Sequence, residues 1–280
     1  MRMVRSWAGR LAAAAGLAVL AAVSLAGQEA SYKAPRLAGT NHPDLNGLWQ
    51  ALNTAYWDIQ DQSAQPGPVV ALGAWGAVPS GRSVVEGNEI PYQPWALARK
   101  QQNYRTRMTI DPDDFTVGDP ELKCYLPGVP RATYLPFPFQ IVQSTNILLF
   151  SYEFADASRL INMENHQPPP SDFWMGWSNG RWEGDTLVIE VTGFNGDTWF
   201  DRAGNFHSDA LRVVERYTPM SPYHLQYEAT IEDSKVFTRP WKISMPLYRR
   251  IEPLAQRLEF KCVEFTEELI YGTLRKQPRE

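Results

Sequence analysis

The sequence predicts an all-β fold: an antiparallel meander closing into a barrel, with one short helix and long N-terminal loops. Three observations carry this. From Pro138 onward, apolar runs of strand length follow one another between turn signals: FQIVQ, ILLFSYEF, SRLINM, WMGWS, TLVIEVTGF, LRVVERY, HLQYEATI, RPWKISMPLY and RLEFKCV. Two of them alternate with period two, Leu225, Tyr227, Ala229 and Ile231 in one, Trp241, Ile243, Met245 and Leu247 in the other. Alternation marks half-buried strands with one wet face, hence an antiparallel sheet. Only one stretch, 94–108, reads as a helix. A long meander hides its edges by closing into a barrel or by folding over as a sandwich, which is the alternative.

The first residues read as an export signal. Arg2, Arg5 and Arg10 precede an apolar run from Leu11 to Gly27, and Ser24-Leu25-Ala26 supplies small residues for cleavage after Ala26. The run is short for a membrane span, which needs about 20 apolar residues. The expected organisation is a signal peptide at 1–26 and a single β-rich domain at 27–280, located in the periplasm or secreted, with no membrane anchor once the signal is removed.

Residues 27–45 form an extended lead-in, and PDLNGLWQALN a first strand entering the core through Leu48 and Trp49. Residues 58–93, rich in Gly, Pro and Gln, follow no period and read as a long surface loop. Pro94 suits a first helical turn, with Trp95, Leu97, Ala98 and Tyr104 facing inward. The connector DPDDFTVGDPELKCYLPGVPR follows. Ser144-Thr145-Asn146 is a hairpin signal, Asn179-Gly180 a stronger one, and Glu183-Gly184-Asp185 a further turn. RLEFKCV is the last expected strand, with Leu258, Phe260 and Cys262 on one face.

The formal net charge is −4, and the signal carries three Arg and no acid, so the mature chain is more acidic still. That balance, without a long basic run, excludes nucleic acid as a natural partner. Cys124 and Cys262 are the only cysteines. In an oxidising compartment they read as a bridge or as two separate buried thiols. A bridge would close a loop of about 140 residues, worth about 4–5 kcal/mol in the chain-entropy model.

Three segments together resemble a large family of exported bacterial proteins from environmental Proteobacteria and Acidobacteria: PDLNGLWQ, KCYLPGVPR with PFPFQIVQ, and GRWEGDTLVIEVTGFNGDTWFDRAGNFHSDALRVVERY. The resemblance spans about Pro43 to Cys262. It implies export and pairing of Cys124 with Cys262, and it carries no mechanism. The chain departs from the family after Cys262, where Val263-Glu264-Phe265-Thr266 replaces a His-Glu-Gly-Asn stretch. Gly47-Leu48-Trp49 also resembles the Gly-x-Trp that opens lipocalin-like barrels, which implies a ligand cavity.

Nucleophile elbows, phosphate loops, dinucleotide fingerprints and zinc-protease motifs are missing, so no cofactor is expected. His42, His166, His207 and His224 are scattered, and Phe115 breaks a calcium-loop spacing among Asp111, Asp113 and Asp114, so no metal is expected either. The richest cluster is Trp199–Asp209, WFDRAGNFHSD, in a long connection between strands. There His207 can move a proton near neutral pH, with Asp209 or Asp201 as partner. Arg202 and Trp199 would bind ligand from the same loop, joined at the mouth by His166, Glu153, Arg159 and Trp177. The competing reading makes the acids and Arg202 turn-stabilising groups and His207 a packed polar aromatic. Ten Trp, twelve Tyr and twelve Phe offer flat apolar faces with polar handles. Two functions follow: a pocket for a small, partly apolar or aromatic organic molecule, or a cofactor-independent hydrolase, lyase or isomerase using a His/Asp pair.

Overall fold

Two-residue alternation sends every second side chain of β8 (His224–Glu232) and β9 (Trp241–Arg249) into the core: Leu225, Tyr227, Ala229 and Ile231, and Trp241, Ile243, Met245 and Leu247, are all buried. Seven more strands share that inner face: β1 (Gly47–Ala51), β2 (Phe139–Gln143), β3 (Leu148–Tyr152), β4 (Ser158–Ile161), β5 (Trp177–Glu183), β6 (Thr186–Thr192) and β7 (Arg212–Ser221). The structure is a computed structural model describing residues 32–273 other than Pro68, Ile110, Pro112, Asp113, Phe115, Phe265 and Gly272. The signal segment read at 1–26 lies outside the described residues. Ala34–Glu280 form one unit.

The strands run in the order β4-β3-β2-β1-β9-β8-β7-β6-β5, every hydrogen-bonded neighbour antiparallel. The ring is nearly closed between β4 and β5. Nine is odd, so strands that alternate in direction around the ring leave one junction parallel. That junction is the bridge of Asn162 to Asn179, where the Asn162 N–H donates to the Ser178 carbonyl at 2.9 Å and the Gly180 N–H to the Asn162 carbonyl at 2.8 Å. Parallel neighbours need a long crossover, which residues 162–176 supply.

This junction corrects one expectation. Asn179-Gly180 lies inside β5, and the hairpin turns instead at Gly184, whose φ is +60°. Gly180 is required by close approach: a Cβ there would meet Ile161 Cγ2 and Met163 Sδ at 2.6 Å. RLEFKCV forms no strand, because the nearly closed ring offers it no free edge. Residues 250–264 instead return along the outside to the mouth. There the Leu258 N–H donates to Glu153 Oε2 at 3.0 Å, and Phe260 packs between Phe137 and Phe154. Cys124 and Cys262 are joined as a disulfide, with 5.7 Å between their Cα atoms.

Alternating directions place the turns 144–147, 183–186 and 221–224 at the floor. The loops 52–138, 153–157, 193–211 and 233–240 gather at the mouth. Helix α1 (Pro94–Thr106) is part of that cap. It buries Ala96 and Asn103 rather than the expected aromatic face, and Trp95 and Leu97 are exposed. Its contact is a close one: Asn103 Nδ2 donates to the Gly204 carbonyl, and a Cβ on Gly204 would stand 2.8 Å from the Asn103 Cβ. Only small or polar residues fit there. The short helix α2 (Arg131–Tyr134) is wholly buried and plugs the barrel. Helix α3 (Thr266–Tyr271) follows the disulfide. Among the described residues no helix is long and apolar enough to cross a membrane.

Gly180→Ala is expected to cost about 1–3 kcal/mol through overpacking at the parallel junction. Urea unfolding measures it; an unchanged midpoint would show that β4 does not press on β5.

Candidate ligand site at the barrel mouth

Four charged side chains, far apart in sequence, meet where the cap joins the barrel. Asp119 precedes a tight turn and accepts the Glu121 N–H at 3.0 Å. Arg131, at the start of α2, donates to both Asp119 carboxylate oxygens (2.8 and 2.9 Å) and to Glu121 Oε2 (2.6 Å). Arg202 grips Glu121 from the other side through Nε and Nη2, at 3.0 and 2.9 Å. The charges alternate and balance. Asp119, Glu121 and Arg131 are buried. Burial alone would raise the Glu121 carboxyl; the Arg202 and Arg131 guanidiniums outweigh it and bring its pKa down to about 2.

Asp201 fixes the loops around this chain of charges. It is fully buried and accepts from the backbone N–H groups of Ile59 (2.9 Å), Ala203 (2.9 Å) and Asn205 (3.2 Å) and from Asn205 Nδ2 (2.6 Å). It thereby ties loop 52–93 to loop 193–211. Burial and the charge of Asp58 push its pKa up to about 7, against the pull of the Asn205 and Ile59 hydrogen bonds. Burial likewise raises the Asp58 carboxyl.

A small cavity of about 40 Å³ opens beside these groups. Trp57, Tyr104, Met108 and Leu122 give it an apolar wall, and Asp58, Gln62 and Arg202 line it with polar groups. The Arg202 guanidinium lies 4.6 Å from the Trp57 ring centroid, in cation–π range. Gln62 Nε2 is buried without a hydrogen-bond partner. Such a donor costs free energy until an acceptor reaches it.

The residues singled out from sequence divide into separate places. Arg202 alone lines this cavity; Asp201 supports it from behind. His207 is buried and donates from Nδ1 to the Ser208 carbonyl (2.8 Å), so Nε2 accepts from the Thr198 hydroxyl (2.6 Å). Burial lowers its pKa, favouring the neutral ring, and Phe194 and Phe200 flank it. Asp209 is exposed and pairs with Lys235 at 2.6 Å. The expected His207–Asp209 pair is therefore not assembled: Asp209 is held at the surface by Lys235 while His207 is buried between Phe194 and Phe200, and Asp201 is taken up by backbone donors and Asn205. Trp199 is buried within its loop. His166 and Trp177 lie instead along β5 and its crossover, where His166 Nε2 donates to the Gly180 carbonyl and Trp177 Nε1 to the Gln167 carbonyl. Glu153 anchors the C-terminal segment. Sequence reasoning missed Trp57, Asp58 and Gln62, which sit in an aperiodic stretch, and the Glu121–Arg131 contact, which only folding creates.

Compared with family models, curated proteins and solved structures, the chain matches none.

Because the folded-state pKa of Glu121 is depressed, its stabilisation is present above the ordinary value of 4.5 and is lost as pH falls toward about 2. Between pH 6 and pH 3 the urea midpoint of wild type should fall relative to that of Glu121→Gln; Asp201, whose raised pKa adds stability as pH falls below about 7, contributes in the opposite direction in both proteins. Glu121→Gln should be about 3–5 kcal/mol less stable at neutral pH, because two arginines lose a partner, and should show a shallower acid slope. An identical slope in the two proteins would exclude Glu121 as the titrating group.

Proposed function

We propose that this is an exported barrel protein whose capped mouth binds a small, partly apolar or aromatic organic molecule carrying a hydrogen-bond acceptor. The observation that carries the reading is the unpartnered Gln62 Nε2 donor beside the Trp57–Arg202 stack. A flat apolar wall with a few converging polar groups is the ordinary make-up of a small-molecule site. A cavity of about 40 Å³ accommodates the polar end of such a molecule, and its ring would extend outward along Trp57 and Tyr104. The periplasmic or secreted address rests on the basic and apolar N-terminal run, and the disulfide suits an oxidising compartment.

Asp58 favours a second reading. Its carboxyl lines the cavity, and burial raises its pKa toward the range useful for proton transfer. The enzymatic alternative therefore passes from His207 and Asp209 to Asp58, with Asp201 behind it.

A calorimetric screen of aromatic carbonyl compounds, with benzamide as the simplest probe, tests both readings. Saturable binding is expected, weakened about tenfold or more by Trp57→Ala and by Gln62→Ala and unaffected by Asp209→Ala at the surface. Equal affinity in all four proteins would remove the site from the mouth. Turnover of a hit by wild type and not by Asp58→Asn would establish the enzymatic reading.

A further inference from the structure

The floor of the barrel carries a larger cavity than the mouth, of about 340 Å³. It lies where the ring is least closed. β4 and β5 meet through the Asn162–Asn179 bridge, whose floorward hydrogen bond is that of the Gly180 N–H. Beyond it the chain leaves β4 through Met163 and Glu164, while β5 continues through Arg181 and Trp182. These four residues line the cavity together with the turn 144–147 and the lead-in before β1.

The lead-in is held in place by its own contacts. Arg36 and Pro43 pair across a tight turn, in which the Leu37 N–H donates to the His42 carbonyl at 3.0 Å. Gly39, at φ +80°, stands beside Thr145. The Arg36 guanidinium pairs with Asp185 at 2.5 Å, across the turn from β5 to β6. The His42 imidazole lies flat on the Trp182 indole, with 4.8 Å between the ring centroids and 6° between the planes. One wall of the cavity is therefore fixed before a ligand arrives, which lowers the ordering cost of binding.

The polar lining divides in two. Gln143 is taken up inside the protein, by the Leu45 N–H and the Pro43 carbonyl. The His42 ring nitrogens, the Thr145 hydroxyl, the Asn146 side-chain amide and the Glu164 carboxylate have no hydrogen-bond partner among the described residues. Scattered over a convex surface such groups would only meet water; here they converge on one concavity, beside the apolar side chains of Leu37, Ile147 and Met163. Ile147 is 54 % exposed. The charges at the rim favour a neutral ligand. Arg181 is already paired with Glu183 at 2.7 Å, whereas Glu164 is unpaired and would repel an anion.

We propose that this floor cavity is a second binding site, which takes a neutral polyhydroxylated ring molecule of the sugar class. The cavity has room for about ten waters, the space of one sugar ring. Asn146 and Thr145 each offer both a donor and an acceptor, and Glu164 offers acceptors alone. A hydroxyl is the ligand group that answers either kind, and a ring bearing several of them reaches several of these side chains at once. Its C–H face would rest on Ile147 and Met163. An aromatic ligand finds no such match: His42 covers one face of Trp182, the indole packs against the core, and the rest of the apolar wall is aliphatic.

The test follows the His42 Cε1–H signal of the whole protein by NMR, assigned by its loss in His42→Gln. The neutral probes are methyl glucoside, methyl galactoside, xylose and inositol; glucuronate is the anionic counterpart and benzamide the aromatic one. At least one neutral probe should move the signal saturably, and glucuronate and benzamide should not. Glu164→Gln should raise the Kd of that probe about fivefold. Glu164 is exposed and unpartnered, so the rest of the spectrum should stay unchanged in this variant. A linear response to all four neutral probes would overturn the proposal in favour of a merely hydrated groove. Saturation by glucuronate or benzamide would overturn it in favour of an anion or an aromatic site, and an unchanged Kd in Glu164→Gln would remove the sugar from this cavity. Binding at the mouth is reported separately by Trp57→Ala, which should leave the sugar titration as it is in wild type.

Discussion

Closing an odd number of strands is the constraint from which the rest of this fold follows. A ring of nine cannot alternate throughout, so β4 and β5 run the same way and meet through Asn162, Ser178 and Gly180. The parallel junction demands the crossover 162–176 and a residue without a side chain at 180. It also uses up both sheet edges. The C-terminal segment therefore has no strand to join and is held outside by other means: a hydrogen bond to Glu153, Phe260 between two rings, and the bridge from Cys262 to Cys124. The disulfide thus fastens a segment that the sheet cannot take up. Its partner Cys124 lies three residues beyond Glu121, so the anchor reaches the turn that organises the mouth.

Strand identity was legible wherever a face is wet. β8 and β9 alternate because their outer sides meet solvent, and their inward residues are those the alternation picks out. What failed to show in the sequence depends on contacts between distant segments. The dipeptide Asn179-Gly180 carries the local signal of a turn, yet Gly180 is small because Ile161 of β4 and Met163 just beyond it press on it. Helix α1 carries aromatic residues at inward-looking spacing, yet it docks through Ala96 and Asn103 because Gly204 brings the chains too close for anything larger. RLEFKCV has a strand pattern and no edge to pair with. In each case the local preference is real and a non-local constraint overrides it.

The site was less legible than the fold for the same reason. The stretch Trp199–Asp209 drew notice through its density of ionisable groups, and the structure divides their roles: Asp201 binds backbone, His207 packs among rings, Asp209 faces water, and Arg202 alone reaches the cavity. Its companions Trp57, Asp58 and Gln62 come from a segment with no period and no motif, and Glu121 from a Pro- and acid-rich connector that reads as solvated loop. No local pattern links them.

The charges at the mouth are an expensive way to join a cap to a barrel. Replacing a buried ion pair by apolar residues of similar volume is often neutral or stabilising, so stability alone does not account for Asp119, Arg131, Glu121 and Arg202. Geometry does. The Glu121 carboxylate meets the Nε–Nη2 edge of Arg202 and fixes the plane of that guanidinium. Held in this plane, the guanidinium lies against the Trp57 ring and sets one wall of the cavity. A lysine at 202 would keep the charge and lose the plane. A wall fixed before a ligand arrives lowers the ordering cost of binding, and that is what a charged, rigid joint supplies where an apolar one would leave Trp57 free to turn.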